Sequence, residues 1–262
     1  MDDDATASRL AYVANSVDQS AVPVISTLRW RVARAGPWRL LEQGDRVADF
    51  DRFDDLLYVL YQRVYGRLME HLALGGWLGL HGGLVTVAGQ RVAILGDKGA
   101  GKTTLMLRLL LDGHDVEGDE LILTRRGLAV ALPRRFHVKP GTAELLPEVS
   151  AALAASPRTA LDDATPIIGL DPADLGRPTA TRPAPVDAAV VLRAAHRRPA
   201  SVRAVPTVDL LARLLDHTHP TSESRSQLLA TVVALLGQAR GFEADAGPLD
   251  DTAAQLVAAL DG

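Results

Sequence analysis

The octet Gly96-Asp97-Lys98-Gly99-Ala100-Gly101-Lys102-Thr103 fits the pattern G-x-x-x-x-G-K-[ST] and constrains the fold of this chain more than any other stretch. Before it, Gln90-Arg91-Val92-Ala93-Ile94-Leu95 is a short apolar run that reads as a buried strand. After it, Thr104 to Leu111 reads as a helix. Glycines in that setting let the backbone wrap with its N–H groups pointing inward, and the helix start adds partial positive charge. Lys102 is then placed to reach the β/γ-phosphates of a nucleoside triphosphate, and the Thr103 hydroxyl to ligate Mg²⁺. The candidate nucleotide site is Gly96 to Thr104, with ATP and Mg²⁺ as the expected ligands.

The rest of the chain bounds this reading. At 262 residues it can bury a full core, as one domain or as a domain with a small appendage. A formal charge of −4 argues against a protein that coats nucleic acid or a membrane surface. There is no cysteine, hence no disulfide framework, thiolate nucleophile or Cys-ligated zinc. Met1-Asp2-Asp3-Asp4 is acidic where a signal peptide is basic, and no apolar run approaches the ~18 residues of a membrane span. The expectation is a soluble, cytoplasmic protein.

Residues 1–20 read as a loose lead-in, and Val22 to Ile25, Leu28 to Val32 and Trp38 to Leu41 as short strands of a small β element. Phe53, Leu56, Leu57, Leu60, Val64, Leu68 and Leu72 make a helical stripe from Arg52 to Leu74 that ends at Gly75-Gly76. Trp77 to His81, Gly83 to Val87 and Arg91 to Leu95 read as three strands joined by turns at Gly82-Gly83 and Ala88-Gly89-Gln90. Turns so short imply antiparallel pairing, unlike a doubly wound nucleotide fold.

Beyond the loop helix, Gly113 is a stop and Val116 opens an extended segment. Leu121 to Thr124 and Leu128 to Leu132 form a hairpin round Arg125-Arg126-Gly127, and Arg134 to Val138 leads into the turn Lys139-Pro140-Gly141. Residues 150–185, rich in Ala, Pro, Thr and Asp, read as a long surface excursion with a short helix at 145–154. Val186 to Arg193 reads as a strand; Val208 to Leu215, Glu223 to Leu236 and Asp251 to Leu260 read as helices, with Thr207 and Ser222 as N-caps. His114 and Glu117 read as surface residues. The Phe53–Leu72 stripe and the C-terminal helices are core or subunit contacts, which leaves homo-oligomerisation open.

Around the loop, Leu80-His81-Gly82 lies upstream, and Gly113-His114 is followed by Gly118-Asp119-Glu120 downstream. With Leu132-Pro133-Arg134, Lys139-Pro140-Gly141 and Leu146-Pro147, this set resembles the catalytic domain of bacterial HPr kinase/phosphorylase and the wider HPr-kinase-like proteins over roughly residues 77–147. The resemblance implies an α/β fold with a phosphoenolpyruvate-carboxykinase-like, mixed and partly antiparallel sheet carrying the phosphate loop, flanked by helices. Residues 1–75 would be the small β element with its packing helix, and residues 76–262 the catalytic domain.

It further implies ATP-dependent transfer to a serine hydroxyl of a peptide or protein, with some members of the group acting on small ribosomally made peptides encoded nearby. In these terms Asp119 is the base, His81 its neighbour, Lys102 a catalytic cation, and Thr103 and Glu120 hold the metal. Glu120 stands where the family has a second Asp, Gly118 where it has Ala or Ser, and Thr103 where it has Ser. The residues before His81 are too few for the separate N-terminal domain of full HPr kinases, so HPr itself is not the expected acceptor. Arg134, Arg135 and Lys139 are candidate phosphate or substrate contacts. The alternative is a nucleotide-binding or NTP-hydrolysing module acting through a partner protein.

Overall fold

The computed structural model describes residues 10, 28–34, 36–161, 165–195, 198–219 and 224–262. The expected strand at Val22 to Ile25, the lead-in apart from Leu10, and the Ser222 cap lie outside these.

Strands β1 (Trp30–Arg34), β2 (Trp38–Glu42) and β3 (Asp45–Phe50) form a small antiparallel sheet. Helix α1 (Phe53–Leu74) lies on it, as its apolar spacing predicts. Phe53, Leu56, Leu57 and Leu60 pack against Leu40, Trp38 and Val47 in a core of their own. Glu42 is buried between sheet and helix and accepts from Arg63 (3.0 Å) and Arg67 (2.7 Å), so it is neutralised by two cations one helical turn apart. Gly75 caps the helix, and Gly76 turns the chain with φ 71°.

The main sheet is built from β4 (Leu78–Val87), β5 (Gln90–Gly96), β6 (Asp115–Gly118), β7 (Leu121–Arg125), β8 (Leu128–Ala131), β12 (Ala188–Ala194), β13 (Ser201–Val205) and β14 (Arg240–Ala246). The strand order is β13-β14-β12-β5-β4-β7-β8, with β6 also paired to β4. Strands β5, β12 and β14 run parallel and the remaining pairs antiparallel. The fold is therefore α/β with a mixed sheet, and β5 has an antiparallel hairpin partner on one side and a parallel one on the other.

Alternation along the central strands buries both faces. Val92, Ile94, Val190 and Leu192 face helices α2 (Lys102–Leu111) and α7 (Leu249–Asp261). Ala93, Leu95, Ala189 and Val191 face α5 (Thr207–Asp216) and α6 (Arg225–Leu236).

Several expectations are corrected. Gly82-Gly83 is no turn: β4 runs unbroken from Leu78 to Val87, and the glycines serve close approach. A Cβ at Gly82 would stand 2.7 Å from the Ile94 carbonyl oxygen, and one at Gly83 2.7 Å from that of Gly118.

Residues 150–185 are not a bare excursion. They hold helix α4 (Ser150–Ala155) and strands β10 (Arg158–Leu161) and β11 (Thr165–Leu170), and β11 joins β9 (Phe136–Val138) in a third sheet. Pro166 is tolerated because β9 pairs only with Ile168 to Leu170, leaving the proline's stretch of β11 open on that side. A four-residue helix, α3 (Thr142–Leu145), follows the Lys139-Pro140-Gly141 turn.

Strands β3, β13 and β14 carry no counterpart in the sequence reading. Glu117 is 6% exposed rather than at the surface, because Arg91 neutralises it through two hydrogen bonds of 2.6 and 2.7 Å. Thr207 is the first residue of α5, its hydroxyl donating to the Ala239 carbonyl at 3.0 Å, and Pro206 takes the cap position.

Candidate active site

Strand β5, in the middle of the sheet, delivers the Gly96–Thr103 loop to the carboxyl ends of the parallel strands. Gly96 sits so close to β12 that any side chain would overlap the Leu192 carbonyl. The Ala100 N–H donates to the Asp97 carbonyl at 3.1 Å and closes the turn. Gly101 has φ 94°, a left-handed conformation that only glycine holds without strain, and it occupies the N-cap of α2 with no capping side chain. The first-turn N–H groups of α2 thus lack the side-chain acceptor that usually satisfies them, which is how a helix start presents itself to an anion. Lys102 is 7% exposed, and its Nζ donates to the carbonyls of Gly96 (2.5 Å) and Asp97 (3.1 Å). Burial lowers its pKa, and Glu120, Asp119 and Asp97 oppose that shift.

Two carboxylates follow β6, in the bend before β7. The bare Cα of Gly83 is what lets this bend approach β4: a Cβ there would lie 3.0 Å from the Asp119 Cα. Asp119 is 1% exposed, and neither of its carboxylate oxygens has a hydrogen-bond partner. Burial, then the neighbouring Glu120, push its pKa up to about 7, while Arg134, the nearby Thr103 hydroxyl and Lys102 pull the other way. The Thr103 hydroxyl and the Glu120 carboxylate, both lining the cleft, are donors of the kind Mg²⁺ takes when nucleotide phosphates and water complete its shell. Among the described residues no three His, Asp or Glu gather as a metal centre. Glu120 faces the same cleft as Lys102 and Thr103, with its Oε1 3.7 Å from His81 Nδ1 and 4.0 Å from Arg134 Nη1.

His81 is half-buried on β4, and burial lowers its pKa against the pull of Glu120. Its backbone N–H donates to the His217 carbonyl at 2.7 Å, and its ring stands 6.4 Å from that of His219, edge to face. Arg134 is buried, with its guanidinium over the rings of Tyr65 (4.9 Å) and Tyr61 (5.6 Å). Although burial opposes the charged form, Glu120 and the two tyrosines hold Arg134 above its ordinary pKa.

A single cleft of about 1070 Å³ is lined by Lys98, Gly99 and Gly101 to Thr104 of the loop, and by His81, Glu120, Arg134 and Lys139. Asp119, 1% exposed, is not part of this lining, which its neighbours Glu120 and Leu121 supply. Arg135 is turned away: it donates to the Gly169 carbonyl at 3.3 Å and stands 3.7 Å from Asp171. His217, His219, Tyr61, Tyr65 and Met69 belong to the site as well, and sequence reasoning missed them. Only the run His217-Thr218-His219, two histidines close together where α5 ends, offered any signal.

No protein-family model and no curated protein sequence matches the chain. Among solved structures it is similar to the Hpr(Ser) kinase/phosphatase from Coxiella burnetii, with 11% identity, a TM-score of 0.32, and coverage of 70% of this chain and 93% of that one. Among the described residues no helix is long and apolar enough to cross a membrane.

A carboxylate with a pKa near neutrality, buried beside a lysine and an anion-receptive helix start, is suited to taking a proton from a hydroxyl at neutral pH. The surrounding imidazoles are all held toward the neutral form by burial. Positive charge at the loop therefore rests on Lys98 and Lys102, with Lys139 also lining the cleft.

Proposed function

We propose that the chain is an ATP-dependent kinase of the HPr-kinase-like kind, moving the γ-phosphoryl group to a serine hydroxyl of a peptide or protein. The observation that carries this reading is Asp119, whose carboxylate is buried without a hydrogen-bond partner beside Thr103. The loop N–H groups and the α2 start hold the phosphates, and Lys102 exchanges its two carbonyl partners for phosphate oxygens. Asp119 takes the hydroxyl proton as the acceptor oxygen bonds to the γ-phosphorus, and the bond to the ADP oxygen breaks. Mg²⁺ would be held by Thr103 and Glu120, which both line the cleft, and would supply charge neutralisation at the phosphates. Glu120 holds His81 and Arg134 in place. In this reading residues 76–262 form the catalytic body, with a phosphoenolpyruvate-carboxykinase-like sheet, and the acceptor comes from the cytoplasm.

The test uses labelled ATP, Mg²⁺ and products of neighbouring genes as acceptors. Wild type should label an acceptor. Asp119→Asn should lose transfer by at least about a hundredfold while retaining nucleotide affinity, and Lys102→Ala should lose tight nucleotide binding. Transfer that survives Asp119→Asn would sink the assignment of the base. ADP and free phosphate formed without any labelled acceptor would favour the nucleotide-hydrolysing module instead.

A further inference from the structure

Helix α1 carries two stripes. Phe53, Leu56, Leu57 and Leu60 face the small sheet, whereas Tyr61, Tyr65 and Met69, spaced four apart, line the cleft. The chain has four tyrosines, and three of them, Tyr58, Tyr61 and Tyr65, cluster here with Ile167. The Tyr61 and Tyr65 rings lie 4.6 Å apart, and Tyr61 stands 5.5 Å from His137. The Met69 methyl covers Gly79 of β4 so closely that a Cβ there would sit 2.6 Å away, and His219 reaches the same spot. Gly79 and His81 share one face of β4, so the aromatic stripe runs without interruption into the His81–Glu120 edge of the site. The charges on this wall, Arg134 and Glu120, face each other at 4.0 Å, leaving it none net.

Strand order separates this wall from the far end of the cleft. Leu192 of β12 and Ala246 to Leu249 at the end of β14 line the other side of the loop, two and three strands away from β4. The loop, at the end of β5, stands between the two ends, and Asp119, between β6 and β7, lies on the β4 side of it. From Tyr61 to Met69 the stripe is ~12 Å long, the length of three to four residues of extended peptide.

On the kinase reading above, we infer that the Tyr61-Tyr65-Met69 stripe is the acceptor subsite, and that it takes an extended peptide segment whose reactive serine is flanked by uncharged aliphatic or aromatic residues. Tyrosine and methionine suit that task, offering broad apolar contact with polar tips or an adaptable thioether. A strongly charged acceptor would meet only a cation already matched by Glu120.

The test is a serine-centred synthetic peptide library with apolar, acidic or basic residues beside the serine, run with wild type, Tyr65→Ala, Tyr65→Phe and Met69→Ala. Wild type should label the apolar-flanked members. Tyr65→Ala and Met69→Ala should raise the peptide KM about tenfold and leave the ATP KM unchanged, and Tyr65→Phe, which keeps the ring, should stay within about twofold of wild type. Labelling confined to charge-flanked peptides, ATP binding with no peptide labelled, or an effect of these variants on the ATP KM alone overturns the subsite and spares the kinase reading. Absence of ATP binding by wild type overturns both.

Discussion

At Asp119 two demands pull in opposite directions. Burial without a partner raises its pKa to about 7, against about 4 in an unfolded chain. Between those values the unfolded state has released its proton and the folded state has kept it, so rising pH costs the ligand-free fold stability, and the full cost is reached above about pH 7. Asp119→Asn should therefore stabilise the ligand-free protein at pH 8, by on the order of a few kcal/mol, and hardly at all at pH 4. Urea unfolding at the two pH values checks this. On the kinase reading, kcat/KM for the acceptor should fall as the pH drops and Asp119 takes up its proton. Residues such as Lys102 and Thr103 are legible in the sequence because their spacing along the chain is itself the geometry. His219 and Tyr61 are not, since nothing local says that a segment after α5 and a face of α1 meet over Gly79.

The elements were readable where one periodicity dominates. Helix α1, with its capped end and apolar stripe, and the hairpin turn at Arg126-Gly127, with φ of 53° and 79°, follow their local signals. The pair Gly82-Gly83 misleads because glycine marks both turns and tight strand crossings, and only the partner strands distinguish the two. Gly83→Ala should cost about 2–4 kcal/mol, since the new methyl meets the Gly118 carbonyl at 2.7 Å and the Met106 methyl at 2.8 Å. It should also weaken phosphoryl transfer more than ATP binding, because the bend that yields is the one holding Asp119. A denaturant titration paired with nucleotide affinity separates these effects. Strand β14 did carry a signal, with Phe242, Ala244 and Ala246 inward and Glu243 and Asp245 outward. Its two acidic residues pair with Arg193 and Arg203 on the neighbouring strands, so its outward face reads as a polar stretch until the sheet is assembled.

Across the whole molecule, one buried ion pair ties distant segments together. Arg91, 5% exposed, holds Glu117 and also donates to the carbonyls of Ala129 (3.0 Å), Arg182 (3.1 Å) and Ala184 (2.5 Å). Glu117→Gln should cost about 3–5 kcal/mol in urea unfolding, because the guanidinium stays buried with its charge unmatched. It should also loosen residues 182–185 toward protease. The staple could not be foreseen from a sequence in which Glu117 has the neighbours of any surface acid. The order of the sheet has a consequence for how the protein is made. Strands β4 and β5 and helix α2 leave the ribosome together and can close on one another at once. The carbonyl that backs Gly96 belongs to Leu192, which emerges only after the intervening third of the polypeptide. A nascent chain thus carries the whole Gly96–Thr103 loop long before it has the wall behind it, and the loop stays open at its back until β12 has emerged and paired with β5.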